Sequence, residues 1–332
     1  MCHPNTVHQI EARPYSYYSE LAVVATVDNT TVTITPSPTA NLIDGHTNVY
    51  STNLMQGETY QINSLNQTDS DYTNDVTGTL ITSDKPIGVF AGASIAYVPD
   101  VNTPYGNPLV QEQLPVEAWG TNALSMGFAG RLNGDSYRIL AAYSNTVVTI
   151  MGAIVTPTNE PYGGPWAVTI TNETAVTNLD AGEFYDIIIQ GPAWFQANQP
   201  IQVAHFANGT EADDVSSAEN QNEGDPCEIL LPPTGHYLNS YVVFTLDDTN
   251  EDFDENFLNL IVPQSATNAT FVDGSLVTAT NYVAIGTSGY YGAQISITNS
   301  GTHTITSSQP VAVEVYGFGD YDAYGYFGGV TK

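Results

Sequence analysis

Asp248, Asn250 and Asp252 stand at alternate positions in an acidic run from Asp247 to Asn256, and Asp254 continues the series. Oxygen-bearing side chains at that spacing can converge on a hard cation, so Ca²⁺ is the chemistry this run could support. An EF-hand loop would demand glycine after the third ligand, where Phe253 stands. A calcium loop here would therefore have another shape. The competing reading is a solvated acidic hairpin tip, because runs of like charge commonly face water. Asp69-Ser70-Asp71 and Asp320-Tyr321-Asp322 repeat the pattern in shorter form.

The aromatic residues offer a second kind of chemistry. Trp119, Trp166 and Trp194, with Tyr321, Tyr324, Tyr326 and Phe327, are read as lying in or near loops beside Asp and Asn. Flat aromatic faces next to such groups can stack a sugar ring and bond its hydroxyls, or anchor a protein partner. Trp166, in Gly163-Gly164-Pro165-Trp166, is read as facing a ligand. Tyr321, Tyr324 and Tyr326 are the other candidate ligand contacts. Trp119 is read instead as a plug between structural units.

Covalent catalysis finds little support. Gly92-Ala93-Ser94-Ile95-Ala96 approaches a nucleophile elbow but lacks the closing glycine and a following helical pattern. There is no His-Glu-x-x-His and no phosphate-binding glycine loop. His205 sits in the alternating run Ile201 to Phe206, as a structural histidine would, and His236 falls on a turn expected to be exposed. Carboxylates are too abundant for a glycosidase pair to stand out. Cys2 and Cys227 leave three arrangements open: a disulfide between them, pairing between chains, or two unrelated thiols.

The elements that position these residues come in triplicate. Ser83-Asp84-Lys85-Pro86-Ile87-Gly88-Val89, Ala197-Asn198-Gln199-Pro200-Ile201-Gln202-Val203 and Ser307-Ser308-Gln309-Pro310-Val311-Ala312-Val313 share one pattern. In each, a proline fixes a polar turn, and apolar residues then alternate with small ones. The period of roughly 110 residues is that of a domain able to bury its own core. Asn29-Thr30-Thr31-Val32-Thr33-Ile34 recurs as Asn145-Thr146-Val147-Val148-Thr149-Ile150, each after an apolar run, which predicts a hairpin. Gly57-Glu58-Thr59-Tyr60-Gln61-Ile62 recurs as Gly182-Glu183-Phe184-Tyr185-Asp186-Ile187, and the pair is lost around Ser288 to Tyr291. Proline-rich stretches, Gly106-Asn107-Pro108 to Val116 and Gly224-Asp225-Pro226 to Pro233, read as strand-free connectors, because proline has no N–H for a ladder, and as stiff ones that hold the units in a defined arrangement.

Strand-length runs separated by Gly, Asn, Asp and Pro make the class all-β, with three tandem β-sandwich-like repeats at 1–115, 116–232 and 233–332. A single closed assembly of the three repeats is the architectural rival. The chain carries 35 acidic and five basic residues, for a net charge of −30. Nucleic acid is therefore excluded as a natural partner, since phosphate binding needs Lys and Arg. No apolar run is long enough to span a membrane. The first residues lack the charged start and apolar stretch of a signal peptide. Lysine scarcity, Thr/Asn richness and sequons at Asn29, Asn66, Asn172, Asn208 and Asn268 nevertheless point to an extracellular origin, with any leader trimmed away.

Read in order, several segments resemble the N-terminal domain of the IgGFc-binding protein family. They are Gly57 to Ser64, Asp75-Val76-Thr77-Gly78-Thr79, Ile81 to Gly92, Glu112-Gln113-Leu114-Pro115-Val116-Glu117-Ala118-Trp119-Gly120, Gly134 to Arg138, Gly224-Asp225-Pro226 with Leu231-Pro232-Pro233, and Tyr316-Gly317-Phe318 with Asp322 to Tyr326. The chain departs from the family where a Cys-Asp-His segment often precedes the Glu-Gln-Leu-Pro motif; Gly106 to Val110 stands there instead. The resemblance implies a secreted, non-catalytic adhesion or binding module, at or near the cell surface. No residue here is identified as encoding antibody binding.

The reading is an extracellular module that binds glycan or a protein partner through loops on a rigid scaffold. The alternatives are a self-associating subunit of a surface layer or filament, joined by strand addition, and a carbohydrate-active enzyme.

Overall fold

The computed structural model describes residues 7–9, 18–65, 74–99, 103, 105–159, 167–212, 224–246, 253 and 255–330. Among them the chain is all-β, and its helical turns are 3₁₀ turns of three residues each. The strands are β1 Val7–Gln9, β2 Ser19–Ala25, β3 Thr30–Thr35, β4 Tyr50–Leu54, β5 Thr59–Asn63, β6 Leu80–Ser83, β7 Ile87–Ala96 and β8 Asn107–Glu112 in a first unit. A second holds β9 Gly120–Ser125, β10 Asp135–Ala141, β11 Thr146–Asn159, β12 Ala167–Leu179, β13 Phe184–Phe206 and β14 Glu228–Leu231. The third holds β15 Leu238–Thr245, β16 Glu255–Pro263, β17 Thr270–Val272, β18 Ser275–Leu276, β19 Tyr282–Ala284, β20 Tyr290–Ile297, β21 Gly301–Gly319 and β22 Asp322–Phe327.

Every strand ladder closes within one of these units. In the first, two four-stranded sheets run in the orders β1-β6-β3-β4 and β5-β2-β7-β8. Leu21, Val23 and Ala25 alternate inward along β2 and meet Val32, Ile34, Ile81, Ile87 and Val89 in one core. The second unit repeats this plan. β10 is hydrogen-bonded on one side to 184–189 and on the other to 201–206, with partner numbers falling as its own rise. β2 lies between β5 and β7 in the same way. In the third, β16 lies between β20 and β21.

Pro86, Pro200 and Pro310 occupy the same corner in all three. Proline interrupts a ladder because it has no N–H, and here the chain leaves one sheet for the other. β6 pairs with β3 and β7 with β2. Within β13, 194–197 pair with β11 and 201–206 with β10. Within β21, 305–307 pair with β17 and 312–318 with β16. The polar residues before the proline hold the neighbouring hairpin. Asp84 Oδ1 accepts from the Thr31 N–H at 2.7 Å, and Asn198 Oδ1 from the Val147 N–H at 2.7 Å.

The hairpin turns use left-handed backbone at Asn29 (φ 56°) and Asn145 (φ 62°), where asparagine is tolerated better than most residues. The Gly-Glu pair also has a physical cause. Gly57 and Gly182 take φ of 82° and 78°. Glu58 and Glu183 each accept, at 2.8 Å, from the backbone N–H three residues earlier. In the third unit Gly289 (φ 80°) makes the turn and Ser288 Oγ accepts from the Tyr290 N–H at 3.1 Å.

Candidate functional site

The three units are locked to one another by buried groups. Arg138, from β10, donates to both oxygens of Asp186 in its own unit, at 2.8 and 2.9 Å. Its Nη1 also donates to Asp75 Oδ2 at 2.6 Å and Thr77 Oγ1 at 3.0 Å in the first unit. Its guanidinium lies 3.9 Å above the Phe184 ring. Nearby, Gly78 and Gly182 bring the two backbones so close that a Cβ on Gly78 would stand 2.2 Å from the Gly182 carbonyl oxygen.

Between the second and third units lies a fully buried imidazole. His205 is stacked between Tyr137, 4.5 Å away, and Phe128, 4.0 Å away. Its Nε2 meets Asp135 Oδ2 at 3.1 Å, and its Nδ1 lies 3.3 Å from Ser125 Oγ and 3.6 Å from Glu314 Oε2. Burial pulls its pKa down, but the hydrogen bonds and charges of Asp135 and Glu314 outweigh it and carry it to about 9. It is therefore an imidazolium at neutral pH, placed between one carboxylate of each unit. Asn259 extends the lock, donating to the Met126 carbonyl at 2.6 Å while accepting from the Tyr316 hydroxyl at 3.0 Å. Phe206, Tyr316 and Phe318 are buried at these boundaries, and burial of side chains that size contributes about 1.5–3 kcal/mol each.

The last strands of the units, β8, β14 and β22, come together. β8 and β14 occupy the two stretches expected to be strand-free, because Pro108 sits on an edge strand, where a missing N–H costs no ladder bond, and Pro226 falls before β14 begins. Gln111 Nε2 donates to the carbonyls of Glu228 (2.6 Å) and Gly325 (3.3 Å), so one side chain touches all three units. Asn107 donates to Asp322 Oδ1 at 3.1 Å. Ala93, Leu109, Ala204, Phe206 and Leu230 form a core beneath, with Phe327 against it.

At the surface of this junction, Tyr105 of the first unit and Tyr321 of the third lie with ring centroids 4.3 Å apart and planes tilted by 45°. Both take left-handed backbone, with φ of 63° and 51°. For a bulky residue that conformation is a genuine outlier and costs about 1–3 kcal/mol, so the surroundings must enforce it. Close by, the Gly209 N–H donates to the Val98 carbonyl at 2.8 Å, and Asn208 accepts from Ser136 Oγ at 2.7 Å and donates to the Gly134 carbonyl at 2.8 Å. Tyr105 remains 47% exposed. Desolvation, the Tyr105 hydroxyl and the carboxylates of Glu211 and Asp320 hold the Tyr321 hydroxyl above its ordinary pKa. The pair thus sits in an anionic field.

Tyr324 and Tyr326 are half-buried on β22 against the third core. Tyr324 donates to Asn256 Oδ1 and accepts from the Leu246 N–H at 3.2 Å. Tyr326 accepts from the Phe244 N–H at 2.8 Å and donates to the same residue's carbonyl at 2.6 Å. Trp119 is buried among Val116, Leu140 and Ala142, its Nε1 donating to the Leu114 carbonyl at 3.0 Å. Trp194 lies within β13, not in a loop, and packs on the boundary cluster of Leu124, Met126, Tyr237 and Ile261. Trp166, the calcium candidates Asp248, Asn250, Asp252 and Asp254, the Asp69–Asp71 run and Cys2 lie outside the described residues. Cys227 is buried beside Ala207, Ile229, Tyr316 and Phe318, and burial pushes its thiol up to about 12. Among the described residues no group of three or more His, Cys, Asp or Glu is placed to hold a metal ion. Of the sequons, Asn208 is buried with its amide engaged, Asn29, Asn172 and Asn268 are exposed, and Asn66 lies outside the described residues.

Two hydroxyl–imidazole–carboxylate arrays occur among the described residues: Ser125–His205–Asp135 above, with Ser125 fully buried, and a second in the third unit. Thr245 Oγ1 lies 3.1 Å from His303 Nε2, and His303 Nδ1 lies 2.7 Å from Asp273 Oδ2. Thr245 is entirely buried, so no substrate carbonyl reaches its oxygen. This second array ties β15 to the β17–β18 turn.

The site thus sits on an all-β scaffold of three interlocked units, with a left-handed tyrosine pair where the first and third meet. The chain belongs to the IgGFc-binding protein family: the profile described as "IgGFc binding protein" matches residues 5–317. It is also similar to the human IgGFc-binding protein, at 25% identity over 172 residues, which is 51% of this chain and 3% of that protein's length.

Proposed function

We propose that this chain is an extracellular recognition module that binds a protein partner at the junction of its three units, receiving a basic side chain of that partner against Tyr105 and Tyr321. The aromatic pair in enforced left-handed backbone carries the reading. Strained side chains persist where the surroundings over-determine them, and they cluster at binding sites. A cation over a tyrosine face is attracted by the ring quadrupole, and neighbouring carboxylates add to that attraction. The charge balance favours the same class of partner. Only five basic residues stand against 35 acidic ones, and two of the five, Arg131 and Arg138, are buried at the unit boundaries. The surface is left almost purely anionic, which steers basic partners toward it.

The test is binding by biolayer interferometry to a panel of extracellular proteins, with an IgG Fc fragment included because the human relative is named for it. The expected result is binding to at least one panel member that falls about tenfold or more in Tyr321→Gly, with melting temperature unchanged or raised. Binding that survives in both Tyr105→Gly and Tyr321→Gly refutes the site. Binding confined to a glycan array refutes the partner class.

A further inference from the structure

We infer that the free edge of β12 joins two copies of this chain by antiparallel strand addition across a two-fold axis. The three units supply their own comparison. In the first, the strand in this position, β4, has five residues, and in the third, β18 has two. β12 has 13, all in one ladder with β11, and among the described residues β11 is its one hydrogen-bonded neighbour. The β-sandwich closes in the other units without that length, so the extra strand serves something besides the fold.

Natural sheets blunt their edges with short strands, proline, charge or a covering element. Most other edges here follow that rule, and β15, eight residues without charge or proline that pair with β21 alone among the described residues, has its Phe244 N–H and carbonyl taken by the Tyr326 hydroxyl. β1 has three residues and β19 has three, β8 carries Pro108 and Glu112, and β22 lies against β14. β12 follows little of it. It contains no proline and no lysine, and Glu173 is the one charged residue in the 27 residues of β11 and β12 together. At the chain-wide charged fraction of 12% about three would be expected. Ile170 and Val176 are exposed on one face of it. A long, nearly uncharged edge rich in β-branched residues is a template for another strand.

The same charge distribution selects the occupant. A basic peptide would be drawn to the acidic surfaces elsewhere, whereas this strip has almost no charge to offer it. A second copy meets the strip with an equally neutral one. Side-chain faces are preserved by a two-fold axis perpendicular to the sheet, so the axis must pass through a residue. Placed at Asn172, it sets Val168 opposite Val176 of the second copy, Ile170 opposite Thr174, and Glu173 opposite Thr171. Placed at Glu173, it would oppose like charges, which is unfavourable. The Asn172-Glu173-Thr174 acceptor sequence lies at the centre, so a glycan there closes the same edge.

Sedimentation equilibrium of the unglycosylated chain, over about 1 to 200 µM, tests this. The expected result is a reversible monomer–dimer equilibrium that tightens as salt rises, because screening reduces the repulsion between two copies of net charge −30. Ile170→Lys/Val176→Lys should weaken it by about tenfold or more with an unchanged melting temperature. Val242→Lys, at an exposed position in the third unit, should leave it alone. A monomer across the whole range overturns the inference, as does dimerisation that ignores the double substitution or weakens with salt. Capture of an unrelated extended peptide on β12 by a monomeric chain overturns it in favour of peptide docking.

Discussion

Replacing His205 with phenylalanine keeps a flat ring between Tyr137 and Phe128 but removes the cation that Asp135 and Glu314 face. The imidazole titrates near 6.5 in the unfolded chain and at about 9 in the folded one. At about 1.4 kcal/mol for each pH decade between those values, the charged form contributes roughly 3 kcal/mol. Independent measurements on other proteins place the loss of one partner from a buried pair at about 3–5 kcal/mol. The sign follows from the raised pKa. The contribution is complete below about pH 6.5 and is lost as pH rises through about 9. Tyr137, Tyr316 and Tyr237 are also buried and held above their ordinary values chiefly by burial, so unfolding exposes them to ionisation in strong alkali. Taking the difference between wild type and His205→Phe at each pH removes the part of those contributions that does not depend on His205. Urea denaturation of both proteins at pH 6, 8 and 10 is the assay. The difference should be about 3 kcal/mol at pH 6 and close to zero at pH 10. A difference that does not change with pH would show that the ring, not its charge, holds the second and third units together.

The other expectations concern the remaining locks. Arg138→Leu leaves Asp75 and Asp186 without their shared guanidinium and should cost about 3–5 kcal/mol, read as a lower midpoint in urea. Asp225 is buried near Asp322, and burial first and Asp322 second raise it to about 8 despite the offset from Arg131. A raised carboxyl gives stability that is lost as pH rises from about 4 through 8, so Asp225→Asn should melt higher at pH 9 and unchanged at pH 4. Gly78→Ala meets both a φ of 84° and the Gly182 carbonyl, and a loss of about 2 kcal/mol or more is expected in the same assay. Glu183→Ala frees the Asp180 N–H and should cost about 0.5–1.5 kcal/mol by thermal melting.

What could be read from the sequence was local. The proline turns announce themselves because one residue type, lacking an N–H, must interrupt a ladder at the same corner three times. The Asn and Gly-Glu turns are legible for a similar reason: left-handed backbone and a carboxylate cap leave a mark within a few residues. The junction left no such mark. Asn107 and Asp322 are 215 residues apart, Arg138 and Asp75 are 63 apart, and Asn259 reaches the Met126 carbonyl across 133. Those pairings follow from how three finished units dock, which no local pattern encodes. His205 reads as a structural histidine, yet its charge depends on Glu314, which lies in a different repeat. Tyr105 sits beside a proline-rich connector in no motif. Its one local peculiarity, left-handed backbone at a bulky residue, is visible only in coordinates.

Recognition at the junction can be tested with a defined probe. Protein carrying ¹³C-labelled tyrosine rings would be titrated with a Gly-Arg-Gly peptide and with its citrulline counterpart, which has the same shape and no charge. The ring resonances of Tyr105 and Tyr321, assigned through Tyr105→Gly and Tyr321→Gly, should move saturably with the arginine peptide alone. Equal movement with citrulline, or movement confined to other tyrosines, would contradict the account.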